Sequence, residues 1–302
     1  MKKKIIDVSK WNGITNFSTI SEKVDGVIVR IGFRGNTSPI LVSDPRYFPY
    51  LTELNKYGNP LGAYFMTSAI TVEEAKEEAD FFIECIENTG VKLTYPLFVK
   101  SEWNITTHNG RSDNLDNETR TEIIKAFIAE CKNKGYGCGI AATADWFKTK
   151  LCLDKLNGYA KWVIGKTDAE TLSMFGDSVM VNTVNEKYEV KGIAGSVILI
   201  EMNSALLDPY INKKTTNKEV VKEVVETKED VVVKKKETAK KKEYKVGSRI
   251  KLKNAELFSS SISSTVIDTL NGYYYVSDPK VLRKRIRITD TKNGSTIGWI
   301  GI

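Results

Sequence analysis

Lys100 and Glu102 stand two residues apart at the end of an apolar run, in the stretch Y-P-L-F-V-K-S-E-W-N from Tyr95 to Asn104 of this 302-residue chain. Leu97, Phe98 and Val99 leading straight into charge is the pattern of a buried strand that delivers polar side chains at its C-terminal end. Side chains alternate along a strand, so Phe98, Lys100 and Glu102 face the same way. If the strand belongs to a parallel barrel, the two charges sit at the mouth, where such barrels keep their chemistry. The plainer alternative is an ion pair at a strand end.

Other chemistries are poorly supplied. His108 is the only histidine, which argues against a Ser-His-Asp triad, a Cys-His pair or a multi-histidine metal site. Cys85, Cys131, Cys138 and Cys152 are scattered without a C-x-x-C pair and read as buried or half-buried free thiols. No metal and no cofactor is expected. The formal charge of +7 and pI near 9.0 would suit an anionic partner. Much of the lysine excess lies between Lys213 and Lys245, however, and so describes a linker rather than a binding face. Only Ile5 and Ile6 separate the initial lysines from Asp7, too little for a signal peptide, and no run approaches the roughly 18 apolar residues of a membrane span. The expectation is a protein made in the cytoplasm without a transmembrane segment, whose action outside would need another route, for example a holin.

The elements that must position the charged pair alternate in type. Ile5 to Val8 is a short strand ending in D-V-S-K-W-N-G, Asp7 to Gly13, a functional loop or tight corner. Gly26 to Phe33 and Leu61 to Ala69 read as strands. Helical patterning covers Asp44 to Tyr57, Val72 to Asn88 behind a Thr71/Glu74 capping box, and Glu118 to Lys134. Gly137 to Ala144, Trp162 to Lys166, Val179 to Val184 and Val197 to Ile200 are further apolar runs, and the alternation weakens after about Trp146. About eight strands over some 200 residues suit a small, irregular barrel. A doubly wound sheet would usually carry a glycine-rich phosphate loop after its first strand, and N-G-I-T is no such loop.

From Lys213 to Glu243 the chain is almost entirely Lys, Glu, Val and Thr, unable to bury a core, and reads as a charged linker between residues 1–212 and 244–302. Beyond it, turn-rich β runs at Arg249 to Leu252, Tyr273 to Val276, Arg285 to Ile288 and Ile297 to Ile300 make a small all-β barrel. Arg283, Lys284, Arg285 and Arg287 would also fit a nucleic-acid-binding barrel, although no nucleic-acid partner is expected overall.

D-V-S-K-W-N-G, G-V-I-V-R-I-G-F, L-G-A-Y-F, T-V-E-E-A-K-E-E-A-D-F-F and the Y-P-x-x-x-x-x-E strand, in order between about Ile5 and Asn203, resemble the family-25 glycoside hydrolases. Those are muramidases that cut the N-acetylmuramic acid to N-acetylglucosamine link of peptidoglycan. Tyr273-Tyr274-Tyr275, R-I-R-I-T and the closing G-W-I-G-I resemble bacterial SH3-like wall-binding modules of phage endolysins. The resemblance implies an irregular TIM-like β/α barrel, a linker and an SH3-like barrel, with bacterial peptidoglycan or another wall polymer as partner. It makes Asp7 the first-strand acid and Glu102 the general acid of the family's D-x-E. Tyr64, Trp162, Glu201 and Asn203 become substrate-binding candidates, and Tyr273, Tyr275 and Trp299 wall-binding ones.

The chain departs from that pattern where the family has its first D-x-E carboxylate: Lys100 stands there. A neighbouring cation favours the ionised form of a carboxyl, whereas a glycosidase acid must carry a proton. The transition state is itself cationic, so an ammonium is the wrong sign. Ala141 replaces an aromatic, Ile164-Gly165-Lys166 and Val181-Asn182-Thr183 replace Ala-Gln-Tyr and Trp-Gln-Tyr, and the last strand's Asp-Leu-Asn is either lost at Ile198 to Ile200 or displaced to Glu201-Met202-Asn203. Three readings follow: a wall-binding pseudo-lysozyme with weak or no hydrolysis, an active divergent muramidase using Glu102 and Asp7, and a structural or regulatory phage-type protein.

Overall fold

The computed structural model describes residues 2–103, 108–207, 244–258, 261, 266–282, 284–292 and 296–302. The stretch read as a linker, 213–243, lies outside them.

In chain order the first part runs β1 (Lys2–Val8), β2 (Gly13–Ile14), α1 (Phe17–Ser21), β3 (Gly26–Arg34), β4 (Leu41–Ser43), α2 (Tyr47–Lys56), β5 (Leu61–Met66) and α3 (Val72–Glu87). It continues with β6 (Leu97–Lys100), α4 (Asn117–Asn133), β7 (Cys138–Thr143), α5 (Ala144–Thr149), β8 (Lys161–Lys166), α6 (Ala169–Ser173), β9 (Val179–Glu189), β10 (Ile193–Ala194) and β11 (Ser196–Asn203). Among the described residues, β1, β3, β5, β6, β7, β8, β9 and β11 close a ring of eight strands, with β4 hung on the outside of β3. Neighbours are parallel except at β11, which runs antiparallel to both β9 and β1 and seals the ring. The expected mixed barrel is therefore present. The alternation fades late because β9 reaches β11 through the short β10, whose partner is β2, and not through a helix.

Strand alternation divides the apolar side chains in two. Ile5, Ile28, Tyr64, Phe98, Ala141, Trp162, Val181 and Ile200 fill the inside of the ring. Their neighbours Val27, Val29, Ala63, Phe65, Leu97, Val99 and Ile140 face the helices. Phe65 meets Phe82 of α3 and Phe127 of α4 with ring centroids 5.8 and 6.0 Å away. Burying each such ring contributes about 1.5–3 kcal/mol.

α3 starts where its cap allows. Thr71 accepts the Glu74 amide at 3.2 Å, but the Glu74 carboxylate reaches back to the Ile70 amide and also grips Arg111 with both oxygens at 2.7 Å. The expected capping box is thus displaced by one residue at its return contact, and its carboxylate ties the loop after β6 to the helix.

The C-terminal strands β12 (Arg249–Phe258), β13 (Val266–Leu282), β14 (Arg285–Thr289) and β15 (Gly298–Gly301) form a closed antiparallel barrel. Leu257, Leu270, Val276, Ile286, Ile288 and Ile300 are its core. It does not stand apart from the large barrel. Trp299, only 1 % exposed, meets Phe81 of α3 edge-on at 6.1 Å, and its Nε1 donates to the Leu41 carbonyl at 3.4 Å. Arg287, paired with Asp278, donates to the Ser43 hydroxyl at 2.9 Å.

Candidate functional site

At the C-terminal end of the parallel strands, β1 presents Asp7, β3 presents Arg30 and β6 presents Lys100, each two residues beyond an interior apolar side chain: Ile5, Ile28 and Phe98 respectively. Glu102 follows one turn of alternation later. The ammonium of Lys100 lies 3.0 Å from Oε1 of Glu102 and 5.9 Å from the ring centroid of Tyr64 below it. Arg30 is held by Asp44, whose Oδ2 accepts its Nε at 2.8 Å. Among the described residues, Asp7, Glu102 and Asp44 thus meet Lys100 and Arg30 at the mouth of the barrel.

These groups act on one another. The Asp7 carboxyl is pushed up to about 6, first by burial and then by the negative charge of Glu102, against the opposing pull of Lys100 and Arg30. Tyr64 is raised well above the ordinary tyrosine range, chiefly by burial and next by Asp7. Asp7 is therefore a carboxyl that carries a proton over much of the mildly acidic range, while Glu102 is in contact with an ammonium.

The backing of Glu102 is rigid. Ser101 donates its amide to the Ala141 carbonyl at 2.9 Å and its hydroxyl accepts Nε1 of Trp146 at 3.0 Å. Trp103, next in the chain, meets Trp146 edge-on at 5.0 Å and stacks on His108 at 3.9 Å.

Sequence reasoning brought Asp7, Lys100 and Glu102 to one place, and the structure does so too. It places other candidates elsewhere. Tyr64 and Trp162 lie inside the ring, edge-on to each other at 5.7 Å, 5 % and 1 % exposed. They form the floor under the mouth and offer no open ring face. Glu201 and Asn203 are taken to the opposite end of the barrel: β11 is antiparallel to β1, so Ile198 is opposite Asp7, while Glu201 and Asn203 are opposite Lys4 and Lys2. Glu201 there forms an ion pair with Lys2 at 2.8 Å. Trp299 is buried between the two barrels and has no surface for a wall ligand, whereas Tyr273 is 52 % exposed and Tyr275 half-buried. Ala141 pairs with Lys100 in register and is fully buried, as are Val181 and Thr183 on β9.

The sequence singles out no role for Arg30, and it marks Trp11 only as the aromatic of a functional loop or tight corner, Asp7 to Gly13. Arg30 reads as part of an apolar strand, and only the odd charge in G-V-I-V-R-I-G-F marks it. Trp11 is 76 % exposed on a loop that is firmly tied: Ser9 donates to the Asn12 side chain at 2.9 Å, Lys10 to Asp44 at 3.0 Å, and the Tyr50 hydroxyl donates to the Asn12 carbonyl. Lys10 covers one side of the indole, 4.5 Å from its centroid.

The profile of glycosyl hydrolases family 25 matches residues 6–174. With the eight-stranded ring and the aspartate near the end of its first strand, this establishes that the chain belongs to family 25 of the glycosyl hydrolases. Among solved structures, the modular autolysin LytC from Streptococcus pneumoniae is similar at 27% identity and a TM-score of 0.59, over 67% of this chain and 47% of that one. The chain thus spans about half the length of that autolysin. The bacterial lysozyme from Streptomyces coelicolor is similar at 20% identity and a TM-score of 0.56, covering 69% of this chain and 96% of the lysozyme. The spore cortex lytic enzyme SleM from Clostridium perfringens is similar at 14% identity and a TM-score of 0.58, covering 70% and 69%. The last two likenesses show the fold alone. No curated protein matches.

Proposed function

We propose that this protein is a peptidoglycan-directed, endolysin-like member of family 25 that binds the bacterial cell wall and hydrolyses it weakly or not at all. The observation that carries the reading is the 3.0 Å contact between Lys100 and Glu102. Glycoside cleavage needs a protonated carboxyl at the leaving oxygen and negative charge beside a cationic ring. Here an ammonium occupies the place of that negative charge and pairs with the carboxylate that would be the acid. The floor aromatics Tyr64 and Trp162 give their area to each other, which leaves less for a sugar ring. The small C-terminal barrel, which we read as SH3-like, supplies wall affinity through the face that carries Tyr273 and Tyr275.

A second reading has one observation in its favour. The Asp7 carboxyl, raised to about 6, could serve a divergent muramidase as a proton donor at mildly acidic pH, with Glu102 as its partner.

Release of reducing sugar from purified peptidoglycan, measured between pH 5 and 8, separates the two. The pseudoenzyme reading expects a trace from the wild type and a rise on Lys100→Asp, which restores a carboxylate beside Glu102. Robust wild-type hydrolysis abolished by Glu102→Gln would replace it with the muramidase reading.

A further inference from the structure

Residues 244–302 hold ten Lys and Arg against four Asp and Glu, a net of +6, whereas residues 1–212 hold 24 against 27, a net of −3. The basic character of the chain is thus not confined to the lysine-rich stretch between the barrels. The structure shows where part of it is displayed. On the β12–β13 ladder Arg249 is opposite Tyr275 and Lys251 is opposite Tyr273. The intervening Ile250, Leu252 and Tyr274 pack toward the small core. Alternation therefore puts Arg249, Lys251, Lys253, Tyr273 and Tyr275 on the outward side of the same two strands. Arg249, Lys251, Lys253 and Tyr273 are exposed.

The cations are organised by the aromatic. The guanidinium carbon of Arg249 lies 3.8 Å from the Tyr273 ring centroid, and the Lys251 ammonium 5.7 Å from it. Stacking of this kind orients a cation without neutralising it, because a ring carries no net charge. Two other basic side chains of this barrel are used internally: Arg287 is paired with Asp278 and bound to Ser43, and Arg285 lies over Phe258. Those residues, with Trp299, face the large barrel or support its contact. Arg249, Lys251 and Tyr273 remain exposed among the described residues with both barrels present.

We propose that this face is a binding site for a linear polyanion of phosphodiester repeats attached to the cell wall, so that the small barrel recognises the anionic wall polymer and not the neutral glycan. This rests on the wall-binding reading above and sharpens it. A row of cations spaced along a ladder, with a half-exposed tyrosine between them, matches regularly spaced phosphates joined by short apolar or hydroxylated units. A neutral sugar chain would call for bare aromatic faces and side-chain amides, and the Tyr273 ring here is already covered by Arg249.

The test is co-sedimentation of the full chain with Gram-positive walls, either intact or stripped of phosphodiester-linked polymers by hydrofluoric acid, with poly(glycerol phosphate) as soluble competitor. Wild type should bind intact walls, lose at least about tenfold in affinity on stripped walls, be displaced by the competitor, and weaken between 50 and 300 mM salt through screening, a tenfold loss being about 1.4 kcal/mol. Lys251→Glu and Arg249→Glu should each lose more affinity than Lys284→Glu, which makes the same change of charge at the exposed β13–β14 turn; circular dichroism of each variant confirms the fold. Equal binding to intact and stripped walls, or equal losses for Lys251→Glu and Lys284→Glu, would overturn the polyanion site while leaving wall binding in place. No sedimentation with either wall would overturn both readings.

Discussion

Asp44 accepts the Nε of Arg30 at 2.8 Å with the same Oδ2 that takes the backbone N–H of Lys10 at 3.0 Å. One buried oxygen therefore ties a cation inside the barrel mouth to the loop that displays Trp11. Its other oxygen accepts the Arg46 amide at 2.9 Å, just before α2.

Asp44→Ala should destabilise strongly, because it leaves the Arg30 guanidinium buried without its carboxylate. Breaking a buried pair from one side costs about 3–5 kcal/mol. Urea denaturation should show a loss of that size, and Arg30→Met in the Asp44→Ala background should recover part of it. A loss no larger than that of an exposed pair such as Lys56–Glu53 would contradict this account.

The Asp7 carboxyl gives a pH signature of definite sign. Its folded value, about 6, lies above the ordinary 3.8, so the folded state holds the proton more tightly. The resulting stability is fully present below the ordinary value and is lost as pH rises through about 6. Wild type should therefore lose stability relative to Asp7→Asn across that interval. Lys100→Met should extend the loss to higher pH, since the ammonium opposes the shift. A difference between wild type and Asp7→Asn that is flat or rises with pH would show that Asp7 is not the group responsible.

Trp11 is held in water by a loop whose backbone is tied at Ser9, Lys10 and Asn12. Replacing it with Ala should change stability by no more than about 0.5 kcal/mol, as for other exposed positions. The same change should weaken binding of soluble glycan strands if the indole contacts a saccharide entering the mouth. Urea denaturation checks the first expectation and isothermal titration with muropeptide oligomers the second, and unchanged affinity would return Trp11 to the status of an exposed ring.

Trp299→Ala should cost about 3–5 kcal/mol as a large-to-small change in a packed site. Because that site joins the two barrels, its removal should also divide one calorimetric transition into two. A single transition in both proteins would mean that Trp299 serves only the small barrel.

The sequence made the parallel part of the large barrel readable because each strand there is an apolar run followed by a patterned helix. Lys100 and Glu102 could be placed at the mouth by counting along one strand from Phe98. The direction of β11 could not be read, since hydropathy is the same forwards and backwards. The resemblance leaves the family's last-strand Asp-Leu-Asn either lost at Ile198 to Ile200 or displaced to Glu201-Met202-Asn203, and only the antiparallel register, with Ile198 opposite Asp7, decides against the second. Trp299 lies in a short apolar run that suits a small-barrel core, and nothing local to it announces Leu41 and Phe81, more than 200 residues earlier, as its neighbours. Arg30 was hidden for the opposite reason: its partner Asp44 sits beyond the strand, before a helix, so no spacing rule joins them.

The antiparallel seam between β1 and β11 also bears on how the molecule forms. Its pairs, from Lys2 with Asn203 to Asp7 with Ile198, join the most distant parts of the large barrel. Neighbouring β/α units can assemble over short separations, whereas this seam requires closure of nearly the whole chain of the barrel. It should be absent from the rate-limiting nucleus and close last. Weakening it at the buried Ile200, opposite Ile5 on β1, for example with Ile200→Ala, would then speed unfolding while leaving the refolding rate almost unchanged. In a stopped-flow chevron the two arms would move unequally, and the ring would behave as a clasp that governs how long the barrel stays shut.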